Sequence, residues 1–188
     1  MVLIIDNYDS FTYNLVELIE RNTNEYRVFR NDTITLNNIE LLSPSHILIS
    51  PGPGRPENAG ICNQVIKNFC KQTSILGVCL GHQAIGFVYG CEIIRSPIPM
   101  HGKTSLINHD RKSIYRGIQT PFEVMRYHSL IIKRESIPDE LIITSETTDG
   151  IVMGIRHKTY PLEGIQFHPE SILTLSGEKI INNWLETK

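Results

Sequence analysis

The sequence predicts an α/β fold: a three-layer arrangement with an open mixed sheet and helices on both faces. Two patterns carry this. Through the first half, short continuous apolar runs, suited to strands buried on both faces of a parallel sheet, alternate with helical spacing. Beyond Gly90 the pattern changes to short alternating strands separated by Pro, Gly, Asn and Asp, which adds antiparallel strands. No repeat, low-complexity tract or linker divides the 188 residues, so a single domain over 1–188 is expected. A domain of this size buries a substantial core without disulfides or metals.

The elements follow in order. Residues 2–5 form an apolar strand ended by Asp6; no cleavage site follows, so the run reads as part of the fold and not as a leader. Asp9 or Ser10 caps the next helix, whose apolar face is Phe11, Leu15, Leu18 and Ile19. Residues 26–29 and 46–50 are the second and third strands. A helix near 59–71 buries Val65 and Phe69 together with Cys62, Ile66 and Cys70. Ser74, Ile75 and Leu76 lead into a strand that ends at Cys79, and residues 80–89 form a helix punctuated by Gly86 and closed by Gly90. Turn signals at 107–110, 117–120 and 146–150 separate the later strands. Residues 162–166 form a strand, and a final helix at 177–185 carries Ile180, Ile181, Trp184 and Leu185.

Composition narrows the function. Hydrophobic content of 40% and a net charge of −2 are ordinary for a globular protein and offer no basic surface for nucleic acid. The apolar runs are too short to span a bilayer. Cys62, Cys70, Cys79 and Cys91 show no CxxC or Cys/His spacing, so no metal site is expected. Unpaired cysteines around a reactive one imply a reducing compartment. Frequent Ile and Asn suggest AT-rich coding DNA, which fits a bacterial cytoplasm or, for an organelle gene, a plastid stroma, and not secretion.

Chemistry concentrates at Gly77-Val78-Cys79-Leu80-Gly81. Glycines two residues either side of a cysteine, at a strand-to-helix corner, permit the tight backbone of a nucleophile elbow. Unpaired amides and the helix dipole at such a corner favour a thiolate. A buried packing cysteine can show the same string, so a second feature decides. Phe167-His168-Pro169-Glu170-Ser171 places a histidine at a strand end with a carboxylate two residues on. A cysteine nucleophile needs a base, and the base needs an acid to fix its tautomer. Cys79, His168 and Glu170 are the catalytic candidates. The N–H of Leu80, directly after the nucleophile, is a candidate oxyanion donor. His82 reads as a structural residue of the elbow helix, and His46, His109 and His157 belong to no motif.

These motifs, with "DNYDSFTYNL" at 6–15, "SPGPGRPENAG" at 50–60, "GVCLGHQAIG" at 77–86, "RYHSL" at 126–130, "MGIRH" at 153–157 and "FHPES" at 167–171, resemble end to end the class I, triad-type glutamine amidotransferases. The likeness is greatest to the small subunits of anthranilate synthase and aminodeoxychorismate synthase. It implies a flavodoxin-like version of the α/β fold and hydrolysis of the side-chain amide of glutamine. It also implies Gly52 as second oxyanion donor, with Gly52, Pro53, Gly54, Gln83, Ser129 and Leu130 as glutamine contacts. A chorismate-aminating synthase subunit of the component I type is the implied partner, fed with ammonia for tryptophan or folate biosynthesis. No cofactor is expected in this chain; Mg²⁺ is expected in the partner. Met100 to Lys103 and the loop from Asn7 to Phe11 are candidate partner contacts. Two rival readings remain: a stand-alone cysteine hydrolase of γ-glutamyl compounds or peptides, and a binding module that has lost catalysis.

Overall fold

The computed structural model describes residues 1–187. Strands β1 (Val2–Asp6), β2 (Tyr26–Arg30), β3 (His46–Ile49) and β4 (Ser74–Val78) alternate with helices α1 (Thr12–Glu20), α2 (Leu36–Leu42) and α3 (Cys62–Phe69). Helix α4 (Leu80–Val88) leaves β4 directly. Then come β5 (Ile93–His109), β6 (Phe122–Ile132), β7 (Leu141–Thr147), β8 (Val152–His157), β9 (Leu162–Ile165) and α5 (Gly177–Leu185). All nine strands join one sheet in the order β2-β1-β3-β4-β9-β8-β7-β5-β6. The half from β2 to β9 is parallel, and the other pairings are antiparallel.

The apolar runs behave as a parallel sheet requires. Every residue of β1, β4 and β9 is buried. Alternate side chains of each strand feed different cores. Leu3, Ile5, Ile47, Ile49 and Ile75 meet α3 and α4 on one face. Ile4, Leu48, Leu76 and Ile165 meet α1 and α5 on the other, where Trp184 is fully buried. The mixed sheet with a helical layer on each face is the architecture expected.

Several boundaries differ from expectation, each for a local reason. Helix α1 begins at Thr12, because the Asp9 carboxylate accepts the Phe11 N–H at 2.8 Å and holds the chain in a turn before the helix starts. Phe11 therefore leaves the core face; it is 39% exposed and stacks on Tyr127 with ring centroids 5.5 Å apart. Helix α3 starts at Cys62, not near 59, since Gly60 sits at φ +56 against Asn31. Helix α2 has no counterpart among the expected elements. Its start is fixed by a capping box in which Thr35 Oγ1 accepts the Asn38 N–H while Asn38 Oδ1 accepts the Thr35 N–H, both at 3.2 Å. The turn expected at 107–110 falls mostly within β5, where Ile107, Asn108 and His109 pair with β7. Ladder pairing outweighs the turn preference of Asn108. Similarly, Glu146 and Thr147 belong to β7, and the turn follows them.

The corner between β4 and α4 is packed backbone on backbone. A Cβ on Gly77 would lie 2.4 Å from the Gly81 carbonyl carbon, and one on Gly81 would lie 2.5 Å from Ile49 O. Neither neighbour is a side chain able to swing aside. Gly77→Ala is therefore expected to lower unfolding stability by about 3 kcal/mol, the upper range for overpacking. Urea unfolding measures it; an unchanged midpoint would show that the corner relaxes freely.

Candidate active site

The corner sets Cys79 at φ +52, ψ −97, a conformation rarely adopted by a residue with a side chain. Two bonds hold it there. Its N–H donates to Ile165 O of β9 at 2.8 Å, and its carbonyl accepts the first helical bond, from Gln83 N, at 3.0 Å. The thiol stands at the N-terminus of α4, where the helix dipole and unpaired N–H groups favour an anion. Leu80, the first residue of α4, has an N–H with no acceptor inside the helix. Cys79 is only 7% exposed, more enclosed than an openly reactive thiol.

His168 follows β9 by three residues. Its N–H donates to Met125 O of β6 at 3.0 Å, and its carbonyl accepts from Thr174 Oγ1 at 2.8 Å. Nδ1 bonds Glu170 Oε1 at 2.6 Å, and both side chains are buried. Nε2, buried and without a hydrogen-bond partner, is the nitrogen left for Cys79. Burial pulls the imidazole's pKa down, but the neighbouring Cys79 and Glu170 outweigh it and raise it to about 10. The imidazole is thus held in its protonated form at neutral pH. By contrast, burial alone pushes Cys62 up to about 12 and Cys91 up to about 11, so those remain neutral thiols. His82 is fully buried, and burial lowers it to about 4, in keeping with a structural role.

The residues expected to contact glutamine share one cleft of about 180 Å³. It is lined by Gly52, Pro53, Gly54, Cys79, Leu80, Gln83, Ser129 and Leu130, joined by His101, Tyr127 and His128. Carboxyl ends of β3 and β4 supply half of these, as open α/β sheets do. His168 and Glu170 line a neighbouring cavity of about 560 Å³ with Phe11, Ile172 and Leu175. Tyr127 borders both and packs edge-on to His168, centroids 5.2 Å apart. His101 places the 100–103 segment at the cleft.

Three residues support the site: Gln166 and Arg126, which the sequence reading did not single out, and Asn7, which it placed in a partner-contact loop but which is only 2% exposed. Asn7 is buried and donates from Nδ2 to Ser50 O and from its backbone to Ser50 Oγ, both at 2.9 Å, so β1 holds the 50–54 loop. A Cβ on Gly52 would fall 2.5 Å from Asn7 Cβ and 2.9 Å from Leu80 Cδ2. Gly52 is thus required by its neighbours as well as by any ligand. Gln166 is fully buried and donates from Nε2 to Cys79 Sγ at 3.6 Å. Arg126 is 5% exposed and donates to His128 Nε2 at 3.0 Å. Asn7 and Arg126 lie inside motifs and Gln166 directly precedes one, but residue type alone gives no sign of these contacts.

Among the described residues no helix is long and apolar enough to cross a membrane, and all four cysteines are free. Residues 3–187 match the family model for class I glutamine amidotransferase. Anthranilate synthase component 2 of Cyanophora paradoxa is 54% identical, with 98% of each chain covered. The aminodeoxychorismate/anthranilate synthase component 2 of Bacillus subtilis is 50% identical over all of this chain and 96% of its own. A Thermoplasma acidophilum structure, described as a GMP synthase protein, superposes with a TM-score of 0.86 over 98% of this chain and 91% of its own. At 23% identity, that match speaks for the fold. With a family model matched from end to end and full-length relatives about half identical, the chain belongs to the class I glutamine amidotransferases.

Proposed function

We propose that this glutamine amidotransferase is the glutaminase subunit of anthranilate synthase, delivering ammonia to a chorismate-aminating partner. Aminodeoxychorismate synthase is the alternative partner, and one chain can serve both, as the double name of the Bacillus subtilis relative illustrates. The observation that carries the reading is the meeting of three parts. An elbow cysteine, a histidine–glutamate pair and the expected glutamine contacts converge on one sheet edge.

In this reading the Cys79 thiolate attacks the carboxamide carbon of glutamine. The oxyanion is received by the N–H groups of Leu80 and Gly52, each donor being worth roughly 10²–10³ in rate. His168, already cationic, gives its proton to the departing nitrogen, and ammonia leaves a γ-glutamyl thioester. Neutral His168 then takes a proton from water, hydroxide equivalent adds to the thioester, and glutamate departs as the thiolate returns. Glu170 fixes the imidazole through Nδ1 throughout. Gln83, Ser129, Leu130 and the 52–54 loop hold the amino-acid end. None of these steps calls for a metal in this chain; Mg²⁺ is assigned to the partner.

The partner's seat is supported by apolar exposure beside the triad. Ile172 is 87% and Leu175 91% exposed, and both border the cavity that Phe11 and Glu170 share. Exposed apolar side chains grouped at a site edge mark a protein interface. Free cysteines fit a reducing compartment, bacterial cytoplasm or plastid stroma. Clamping of Gly52 by Asn7 and Leu80 leaves Gly54, at φ +84 with open space around it, as the freer point of the loop where a partner would act on turnover.

Four measurements test this. Cys79→Ala in the complex is expected to abolish glutamine-dependent amination and to leave amination from excess ammonium intact; retained glutaminase would overturn the mechanism. His168→Ala should cost more than Glu170→Gln, whose rate loss stays below the roughly 10⁴ seen when a serine-protease triad loses its acid role. Glu170→Gln also removes a charge that raises His168, so the alkaline fall of kcat/KM, set near pH 10 by the imidazolium, should move to lower pH. An unmoved alkaline limb would deny Glu170 its role. Finally, Leu175→Asp should weaken the complex about 10- to 100-fold, the value of one buried aliphatic side chain, with Cys79 still reactive. Unchanged affinity by calorimetry would place the partner elsewhere.

A further inference from the structure

Arg126 is a buried cation that the steps of glutamine hydrolysis do not use. It lies on β6, is 5% exposed, and makes no ion pair among the described residues; Asp149 is the carboxylate whose charge supports it. Burying a charge without a partner is costly, so its hydrogen bonds need an explanation. Its Nη1 donates to Ser105 Oγ at 2.9 Å and its Nε to His128 Nε2 at 3.0 Å.

The second bond fixes a chain of orientations. A guanidinium has only donors, so His128 Nε2 must carry a lone pair. The imidazole is therefore neutral with its hydrogen on Nδ1, which donates to Leu130 O at 3.0 Å. Burial and the Arg126 charge hold His128 down at about 3, which keeps it neutral. Leu130 O also accepts from Gln83 Nε2 at 3.0 Å, which sets the Gln83 amide. The second hydrogen of that nitrogen goes to Gln166 Oε1 at 3.1 Å. Gln166 must then present Nε2 to Cys79 Sγ, at 3.6 Å. No link can be reversed without setting two donors or two lone pairs against each other.

We propose that Arg126 and Gln166 are positioning residues for the glutaminase reaction, joined through His128, Leu130 and Gln83 so that a buried guanidinium maintains the pattern in which Cys79 receives a hydrogen bond. The proposal rests on Cys79 being the nucleophile. Without Arg126, His128 is free to move its hydrogen to Nε2. A lone pair would then face the Leu130 oxygen, and repulsion would shift the carbonyl on which Gln83 rests. Without the Gln166 amide, the thiolate loses its side-chain donor. Both effects reach the cleft from residues that do not line it.

The test uses the full chain and readouts that need neither glutamine nor a partner. In ¹⁵N NMR, wild-type His128 is expected in the Nδ1–H form. Arg126→Met should convert it to a mixture, and Arg126→Lys, which also supplies only donors, should restore it. The rate at which iodoacetamide alkylates Cys79 at neutral pH should fall about tenfold in Arg126→Met and in Gln166→Met, the scale of one hydrogen bond to a charged acceptor. Gln166→Met should leave the His128 tautomer unchanged. In glutamine-dependent amination, both variants should lose up to about 10², the cost of a small misplacement of reacting groups, while ammonium-dependent amination is retained. A wild-type His128 tautomer in Arg126→Met, or wild-type alkylation in Gln166→Met, would overturn the proposal. If Arg126→Met does not fold, Arg126→Gln, whose amide can accept as well as donate, takes its place in the tautomer measurement.

Discussion

The arrangement around Cys79 depends on one steric constraint: three backbone segments meet at the end of β4 with no room for side chains. Gly81 lies on the carbonyl of Ile49, and Gly77 lies on Gly81. This contact ties α4 to β3 and β4 at once and forces Cys79 into its left-handed turn. A non-glycine residue held there stores about 1–3 kcal/mol of strain. The bonds from Cys79 to Ile165 and Gln83, together with two hydrophobic cores, over-determine the position. The same contact brings Leu80 against Gly52, so nucleophile and loop share one clamp.

Electrostatics complete what sterics begin. The thiol faces a helix N-terminus, and the imidazole is held charged between it and a buried carboxylate. Burial acts in opposite directions on different groups. It drives Cys62, Cys91 and His82 toward their neutral forms, whereas at His168 two specific partners overcome it. The site thus keeps a protonated imidazole beside buried thiols and a histidine that stay neutral.

How much of this was legible in the sequence depended on the range of the interaction. Strands β1, β3 and β4 announce themselves because burial on both faces demands apolar runs. The elbow and Glu170 are visible since their partners are close in the chain. Long-range pairing hides the rest. Asn108 and His109 look like a turn until β7 supplies a ladder, and Phe11 looks like a core residue until Asp9 delays the helix. Helix α2 buries only Ile39, too little for a periodic pattern. Asn7 and Gln166 act on residues far away in sequence, whereas Arg126 acts on His128 two residues on, and none of the three side chains carries a local mark of it.

The place of β9 has a consequence for biosynthesis. It pairs with β4 on one side and β8 on the other, although β4 ends at Val78 and β9 begins at Leu162. On the ribosome, where the N-terminal part emerges first, β4 therefore waits with one edge unpaired while the intervening strands are made. Only when β9 slots in does Cys79 gain its bond to Ile165, and the same segment carries His168 into reach. A nascent chain that already displays the elbow is consequently without its base. Closing the sheet and arming the thiol are one event.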